Sequence, residues 1–265
     1  MYLDEKKILT QIYRWFSFYE RNSTLESQLK ILSKNISIDS GLEKVFGIDD
    51  YIKKIDLIPK NWESIYNILD YQIESRKNGS YIVDTLVEYD NLGVKEDLKT
   101  TFKYVFSLNY EKNGKNKMFM PLIQSVRVSA LGIHGNILEK NKNKILSSLN
   151  YFYLLIDKND KEVECFKEIL SGSFNLDFQR KNMDSFKSLK KYYISNSKEY
   201  KSLDHRIEDI EILEMEKFEC KVQLIMSLKK IDRRDNTTEK EFYVDMELEN
   251  CGSDLLKIRS LKNKD

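Results

Sequence analysis

Proline occurs only twice in these 265 residues and glycine nine times, too few for a linker-rich or low-complexity protein. Cysteine is scarce as well. Cys165, Cys220 and Cys251 are odd in number and show no CxxC or Cys/His ligand spacing. That argues against a disulfide framework and a zinc site, and for a reducing compartment, with no metal expected. No uncharged apolar run approaches the roughly 20 residues that span a bilayer, so no membrane partner is expected. The opening "MYLDEKKILTQIYRWF" carries acids and lysines where a signal peptide places its apolar stretch. The expected location is therefore the cytoplasm. An excess of one charge is also missing, since 44 basic residues face 43 acidic ones in an interspersed pattern. A nucleic-acid binder gathers a basic excess on one face, and none is expected here.

What is abundant is core material. Hydrophobic residues make up 41%, including 13 Phe and 16 Tyr. The chain is long enough for one large domain or two ordinary ones of about 100–150 residues. It also repeats itself. "KKILTQIYRWFSFYERNSTLESQLKILSKNISIDS" (6–40) lies on "NKILSSLNYFYLLIDKNDKEVECFKEILSGSFNLDF" (143–178), Ile8 falling on Ile145 at an offset of 137. Asp39 falls on Asp177 at 138, and "NILDYQI" (67–73) on "RIEDIEI" (206–212) at 139. Anchors that drift so little mark two copies, 1–131 and 142–265, joined by a linker over 132–141 that contains His134.

Each copy orders its elements alike. Apolar residues at Ile8, Ile12, Trp15, Phe16 and Tyr19, and at Ile145, Leu149, Phe152, Tyr153 and Ile156, share one helical face. Second helices are expected over Leu25–Leu32 and Val163–Leu170, and third helices around 48–55 and 183–194. The apolar period then changes from about 3.6 to 2, the sign of strands. Asn78-Gly79 and Asn113-Gly114 mark hairpins in the first copy. Helices followed by a meander predict an α+β class, with three N-terminal helices per copy on a curled antiparallel sheet.

In "SLDHRIEDIEI" (202–212) Leu203, His205 and Ile207 share one parity, then Ile210 and Ile212 take the other. Tyr66 and Ile68, then Tyr71 and Ile73, make the same slip in the first copy. A β-bulge inserts one residue and bends the strand. Without it half of the apolar residues would face water.

"YFYLLIDKND" (151–160), "FGIDDYIKKI" (46–55) and "LDHRIEDIEI" (203–212) resemble the first helix, third helix and first long strand of the nuclear transport factor 2-like superfamily. The closest branch in pattern is SnoaL-like, alongside ketosteroid isomerase and scytalone dehydratase. "DLLKIRSLK" (254–262) takes the place of the terminal strand, with Leu256 where a tryptophan is usual. The resemblance covers nearly the whole chain, twice. It implies two cone-shaped domains, each with an apolar pocket between helices and sheet. It also implies an intramolecular pseudo-dimer through the outer sheet faces, with room for further oligomerisation.

In that frame Tyr153 and Asp157 are four residues apart on the first helix of the second copy, hence neighbours on one face. His205 has the parity of the inner strand face. Imidazole titrates near neutrality and takes a proton from carbon or oxygen. Asp157 would fix its tautomer, and the Tyr153 hydroxyl would stabilise an oxyanion. Asp177, Phe152 and Ile207 are further pocket candidates. The first copy carries Phe16, Glu20 and Tyr66 at the aligned positions, so it lacks both the donor and the base and is expected to be inactive. A plainer reading stands beside this one: His205 is a hydrogen-bonded core residue and Asp157 a solvated helix end. The aromatic stripe Tyr13, Trp15, Phe16, Phe18 and Tyr19 is read as core.

No GxGxxG, Walker A, HExxH or Gly-x-Ser-x-Gly pattern occurs, so no cofactor is expected. The sequence thus points to a cofactor-independent lyase or isomerase (dehydratase, isomerase or cyclase type) acting on a small apolar carbonyl or hydroxyl compound. The alternative is a non-catalytic ligand-binding or protein-interaction module of the same fold.

Overall fold

The computed structural model describes residues 2–59, 62–92, 99–113, 116–117, 119–134, 141–158, 163–178, 181–216 and 219–264. It divides into two compact units: Lys7–Ser147, and Met1–Lys6 together with Ser148–Asp265. Among the described residues no helix is long and apolar enough to cross a membrane.

The first unit begins with helix α1 (Tyr2–Tyr19) and a single turn, α2 (Leu25–Leu29), capped by the Thr24 hydroxyl. Strands β1 (Leu32–Asp39) and β2 (Lys44–Phe46) precede helix α3 (Ile48–Asp56). Then come β3 (Ser64–Ser75), β4 (Tyr81–Asn91) and β5 (Lys99–Asn109). A two-residue pair, β6 (Lys112–Asn113) and β7 (Asn116–Lys117), and the long β8 (Leu122–His134) complete it.

The second unit repeats this plan with helix α4 (Lys142–Lys158), whose N-terminal residues up to Ser147 cluster with the first unit. A 3₁₀ turn (Glu164–Glu168) stands in the place of α2. It continues with β9 (Leu170–Phe178), β10 (Lys181–Met183) and α5 (Phe186–Glu199), then β11 (Tyr200–Met215), β12 (Glu219–Asp232), β13 (Thr237–Glu249) and β14 (Lys257–Lys264).

The two six-stranded sheets have the orders β2-β1-β8-β5-β4-β3 and β10-β9-β14-β13-β12-β11, one topology twice. The duplication read from the sequence is therefore present in the strand order itself. Three expectations need correction. The sheets are mixed, because β1 runs parallel to β8 and β9 parallel to β14. The second helices shrink to one turn, since Leu32 and Leu170 already begin strands. The third helices follow the first two strands, so three N-terminal helices per copy are not found. Residues 132–134 of the expected linker belong to β8, where His134 pairs with Lys99. Residues 135–140, and Gly114 of the second expected hairpin, lie outside the described residues.

Apolar periodicity explains the packing. In the first unit Ile8, Ile12, Trp15 and Phe16 of α1 bury against Val83, Val87, Phe106 and Val126 of the sheet. In the second, Phe152 of α4 meets Phe166 and Phe178 at ring distances of 6.2 and 6.1 Å. Gly79, at φ 80°, makes the β3–β4 turn in a conformation that favours glycine. A serine capping box, Ser185 with Ser188, starts α5.

The phase slip is a bulge in both sheets. Pairing of β11 with β12 shifts between Ile207 and Asp209, and pairing of β3 with β4 shifts between Ile68 and Asp70. Glu208 and Leu69 are the extra residues, at equivalent places. Deleting Glu208 would straighten the strand and turn Ile210 and Ile212 outward. Calorimetry should show a much larger drop in the unfolding midpoint for this deletion than for Glu208→Ala.

Candidate functional site

The site grows from one carboxylate. Asp157 lies in the last turn of α4, where the helix dipole disfavours an anion. It is nevertheless fully buried, because donors surround it. The His205 backbone N–H reaches Oδ2 at 2.9 Å, and the Lys6 ammonium reaches the same oxygen at 2.9 Å. His205 Nδ1 lies 2.5 Å from Oδ1. Asp157 is thus not a solvated helix end, and the expected pairing with His205 is in place. A carboxylate at Nδ1 holds the ring proton there and leaves Nε2 as the basic nitrogen.

The network extends one residue back. Lys6 also meets Asp204 Oδ1 at 2.8 Å, and Arg206 Nε meets Asp204 Oδ2 at 3.0 Å. Burial pushes the Asp204 carboxyl up, but Lys6 and then Arg206 overcome this and leave it below its ordinary value. Lys6 thus joins Asp157 to Asp204, and Arg206 meets Asp204 from the other side.

His205 itself is 2% exposed. Tyr153 stacks on it with ring centroids 5.3 Å apart and planes at 27°, and Phe178 and Phe242 present their edges. The expected role of Tyr153 fails on geometry. Its hydroxyl is buried 4.0 Å from the Met246 sulfur, and desolvation, with Asp157 adding to it, drives its pKa far above the usual phenol value.

His205 lines a cavity of about 190 Å³. The other walls are Tyr192, Asn196 and Glu199 of α5, Lys181 of β10, and Leu203, Leu228 and Lys230 of the two long strands, with Tyr200 at the rim. The resemblance implied an apolar pocket; most groups on these walls are polar or charged. Phe152 is absent from the lining because it faces Phe166 and Phe178. Ile207 sits further along β11, opposite Met226 at the bulge. Asp177 alternates with the buried Leu176 and Phe178 and so takes the other face of β9.

The residues missed by sequence reasoning did leave a signal. Tyr192, Asn196 and Glu199 are spaced i, i+4, i+7, one face of α5. Burial raises the Tyr192 pKa, against a hydrogen bond with Asn196. Desolvation lowers that of Lys230.

The first unit offers the same brace with different groups. Glu20 Oε1 accepts the Tyr66 backbone N–H at 2.9 Å and the Asn143 amide at 2.8 Å. Asn143 aligns with Lys6, Glu20 with Asp157, and Tyr66 with His205. Tyr66, however, stacks among Phe16 and Tyr89 at 5.2 Å each. Its cavity, of about 180 Å³, is bounded by Phe18, Tyr19, Ile58, Trp62 and Tyr66, with Arg21 as the charged group. Among the described residues no group of three His, Cys, Asp or Glu is placed to hold a metal.

No family model and no curated protein matches the chain. Several of the solved structures that match carry nuclear transport factor 2 or NTF2-like names. One is a superfamily protein from Salmonella enterica, 11% identical, covering 44% of this chain and 84% of its own, with a TM-score of 0.39. Nuclear transport factor 2 from Cryptosporidium parvum is 12% identical over 45% of this chain and 88% of its own, TM-score 0.38. A type 2 hexachlorocyclohexane dehydrochlorinase is 10% identical over 51% and 91%, TM-score 0.38. Likeness of this degree carries no activity over to this chain.

Two measurements test the brace. Asp157→Ala leaves the buried His205 N–H and imidazole without their acceptor, while Lys6 keeps Asp204, and should cost about 1–3 kcal/mol in urea unfolding, while Asp177→Ala should cost far less. Asp204, with its pKa lowered on folding, stabilises above the unfolded value of about 3.9 and loses that contribution as pH falls through the folded value. The stability gap between wild type and Asp204→Asn should therefore be full at pH 7 and narrow as pH falls below about 4.

Proposed function

We propose that the second unit is a cofactor-independent lyase or isomerase in which His205 Nε2 is the proton acceptor. The observation that carries this is the placement of a single imidazole, held at Nδ1 by a buried carboxylate, in the wall of a small cavity. Nε2 takes a proton from the carbon next to a carbonyl. The C–H bond breaks, its electron pair becomes a carbon–carbon double bond, and charge develops on the carbonyl oxygen. The imidazolium is stabilised by Asp157, and the Tyr192 hydroxyl is the donor within the same walls. Returning the proton to a different carbon completes an isomerisation. Giving it to a departing hydroxyl completes a dehydration.

The second reading, a binding module without chemistry, draws on the first unit. Glu20 braces Tyr66 just as Asp157 braces His205, so a buried carboxylate here serves the fold whether or not a base sits beside it.

A panel of small ketones, 2-oxo acids and 3-hydroxy carbonyl compounds in D₂O, followed by proton NMR, separates the two. Wild type should exchange or convert a member of the panel, and His205→Gln should slow it by about 10²–10⁴-fold with little change in melting temperature. Equal rates in wild type and His205→Gln would remove the catalytic reading.

A further inference from the structure

We infer that the cavity beside His205 takes a small organic anion, a monocarboxylate held by Lys181 and Lys230; this rests on the reading of His205 as a proton acceptor. The two units supply the argument between them. Each has a cavity at the aligned strand residue, Tyr66 or His205, close to the C-terminal end of its third helix, with volumes of about 180 and 190 Å³. Of the two linings only Ser64 with Leu203 and Tyr66 with His205 are aligned pairs. In the first unit Phe18, Tyr19, Ile58 and Trp62 line it, and the Arg21 guanidinium donates to the Pro59 carbonyl at 2.9 Å. In the second, two lysines from different strands, Lys181 and Lys230, line the cavity beside His205.

Their surroundings favour a negative occupant. Lys181 Nζ lies 5.8 Å from the Tyr192 ring centroid, and Lys230 Nζ 5.0 Å from that of Tyr200. These are the two tyrosines of the same cavity. Desolvation by burial depresses the Lys230 pKa, Glu199 opposes this, and Lys181 and Lys240 add to it. Glu199 is the acid of the lining, and its Oε1 already accepts the Tyr200 hydroxyl at 2.6 Å. The lining thus brings two lysines and one carboxylate together around His205.

Size narrows the class. The volume of about 190 Å³ equals roughly six waters at ~30 Å³ each, which suits an acid of about six or seven non-hydrogen atoms. A 2-oxo acid of that size places its carboxylate on the lysines and its C3–H toward the imidazole. Breaking C3–H moves the proton to His205 Nε2 and the electron pair into the C2–C3 double bond. Charge then rests on the carbonyl oxygen, and a deuteron from solvent restores the keto acid. Nothing is oxidised or reduced.

The test uses the full chain with 2-oxobutyrate and its uncharged relative 2-butanone at constant ionic strength. Calorimetric titration gives binding, and proton NMR in D₂O gives exchange at C3. 2-Oxobutyrate should bind and 2-butanone should not. Lys181→Met and Lys230→Met, both at solvent-reached positions, should each weaken binding about tenfold or more, as loss of a charged hydrogen bond does. Binding of both compounds alike, no binding of 2-oxobutyrate, or binding indifferent to both lysine variants would overturn the anion site. Lysine-dependent binding without any exchange in wild type would uphold the anion site and sink the proton-transfer reading. Exchange lost in His205→Gln, with binding kept, would uphold both.

Discussion

The structure of each unit hangs on a carboxylate at the C-terminal end of its long helix, Glu20 just past α1 and Asp157 in the last turn of α4, that grips the backbone of its first long strand. Glu20 holds the N–H of Tyr66, and Asp157 holds that of His205, both at 2.9 Å. An anion at a helix C-terminus is out of place electrostatically. It is tolerated because a second donor meets it: the Asn143 amide in one unit, the Lys6 ammonium in the other. The grip falls a few residues before the bulge, so it fixes where the strand begins to bend and which residue faces the helix. Everything downstream, the curl of the sheet and the cavity beside the aligned residue, inherits that register.

The two copies differ in how much charge they bury at this joint. The first uses a carboxylate with amide donors and packs an aromatic side chain, Tyr66, above it. The second replaces amide by ammonium and tyrosine by histidine, and adds Asp204 and Arg206 to balance the result. Buried ion pairs are weak stabilisers, because desolvation takes back most of the Coulombic gain. A joint that holds with amides in one unit therefore does not need this cluster for stability. What the cluster provides is an imidazole whose proton is pinned at Nδ1 and whose other nitrogen is fixed in direction.

The bend and the duplication were legible in the sequence because strand side chains alternate with a period of 2, and a single extra residue flips every later position. Ile207 against Ile210, and Ile68 against Tyr71, announce the bulge without any contact information. The pairing of Asp157 with His205 was legible through the same alignment. Tyr153 lies on the inward helical face, but periodicity does not say where a hydroxyl ends, and this one ends against Met246. The mixed sheet was not legible: β1 and β9 are short and pair in parallel with strands about 90 residues later in the chain, which no local pattern records. Lys6, 198 residues from Asp204, looked like any surface lysine.

The cavity walls show the same limit in a more consequential form. Lysines are expected on surfaces, so Lys181 and Lys230 gave no reason to be singled out among 44 basic residues. Only the meeting of β10, β12 and α5 makes them neighbours of a buried histidine. An apolar lining would have followed from the fold, and the first unit has one. The second unit departs from it where Tyr66 gives way to His205, which shares its wall with Lys181, Lys230 and Glu199. A polar group exposed to solvent is free to drift, whereas one set against a buried imidazole and a desolvated ammonium affects both. The carboxylate grip on the strand is common to both units, while the second donor, the residue gripped and the cavity lining all differ.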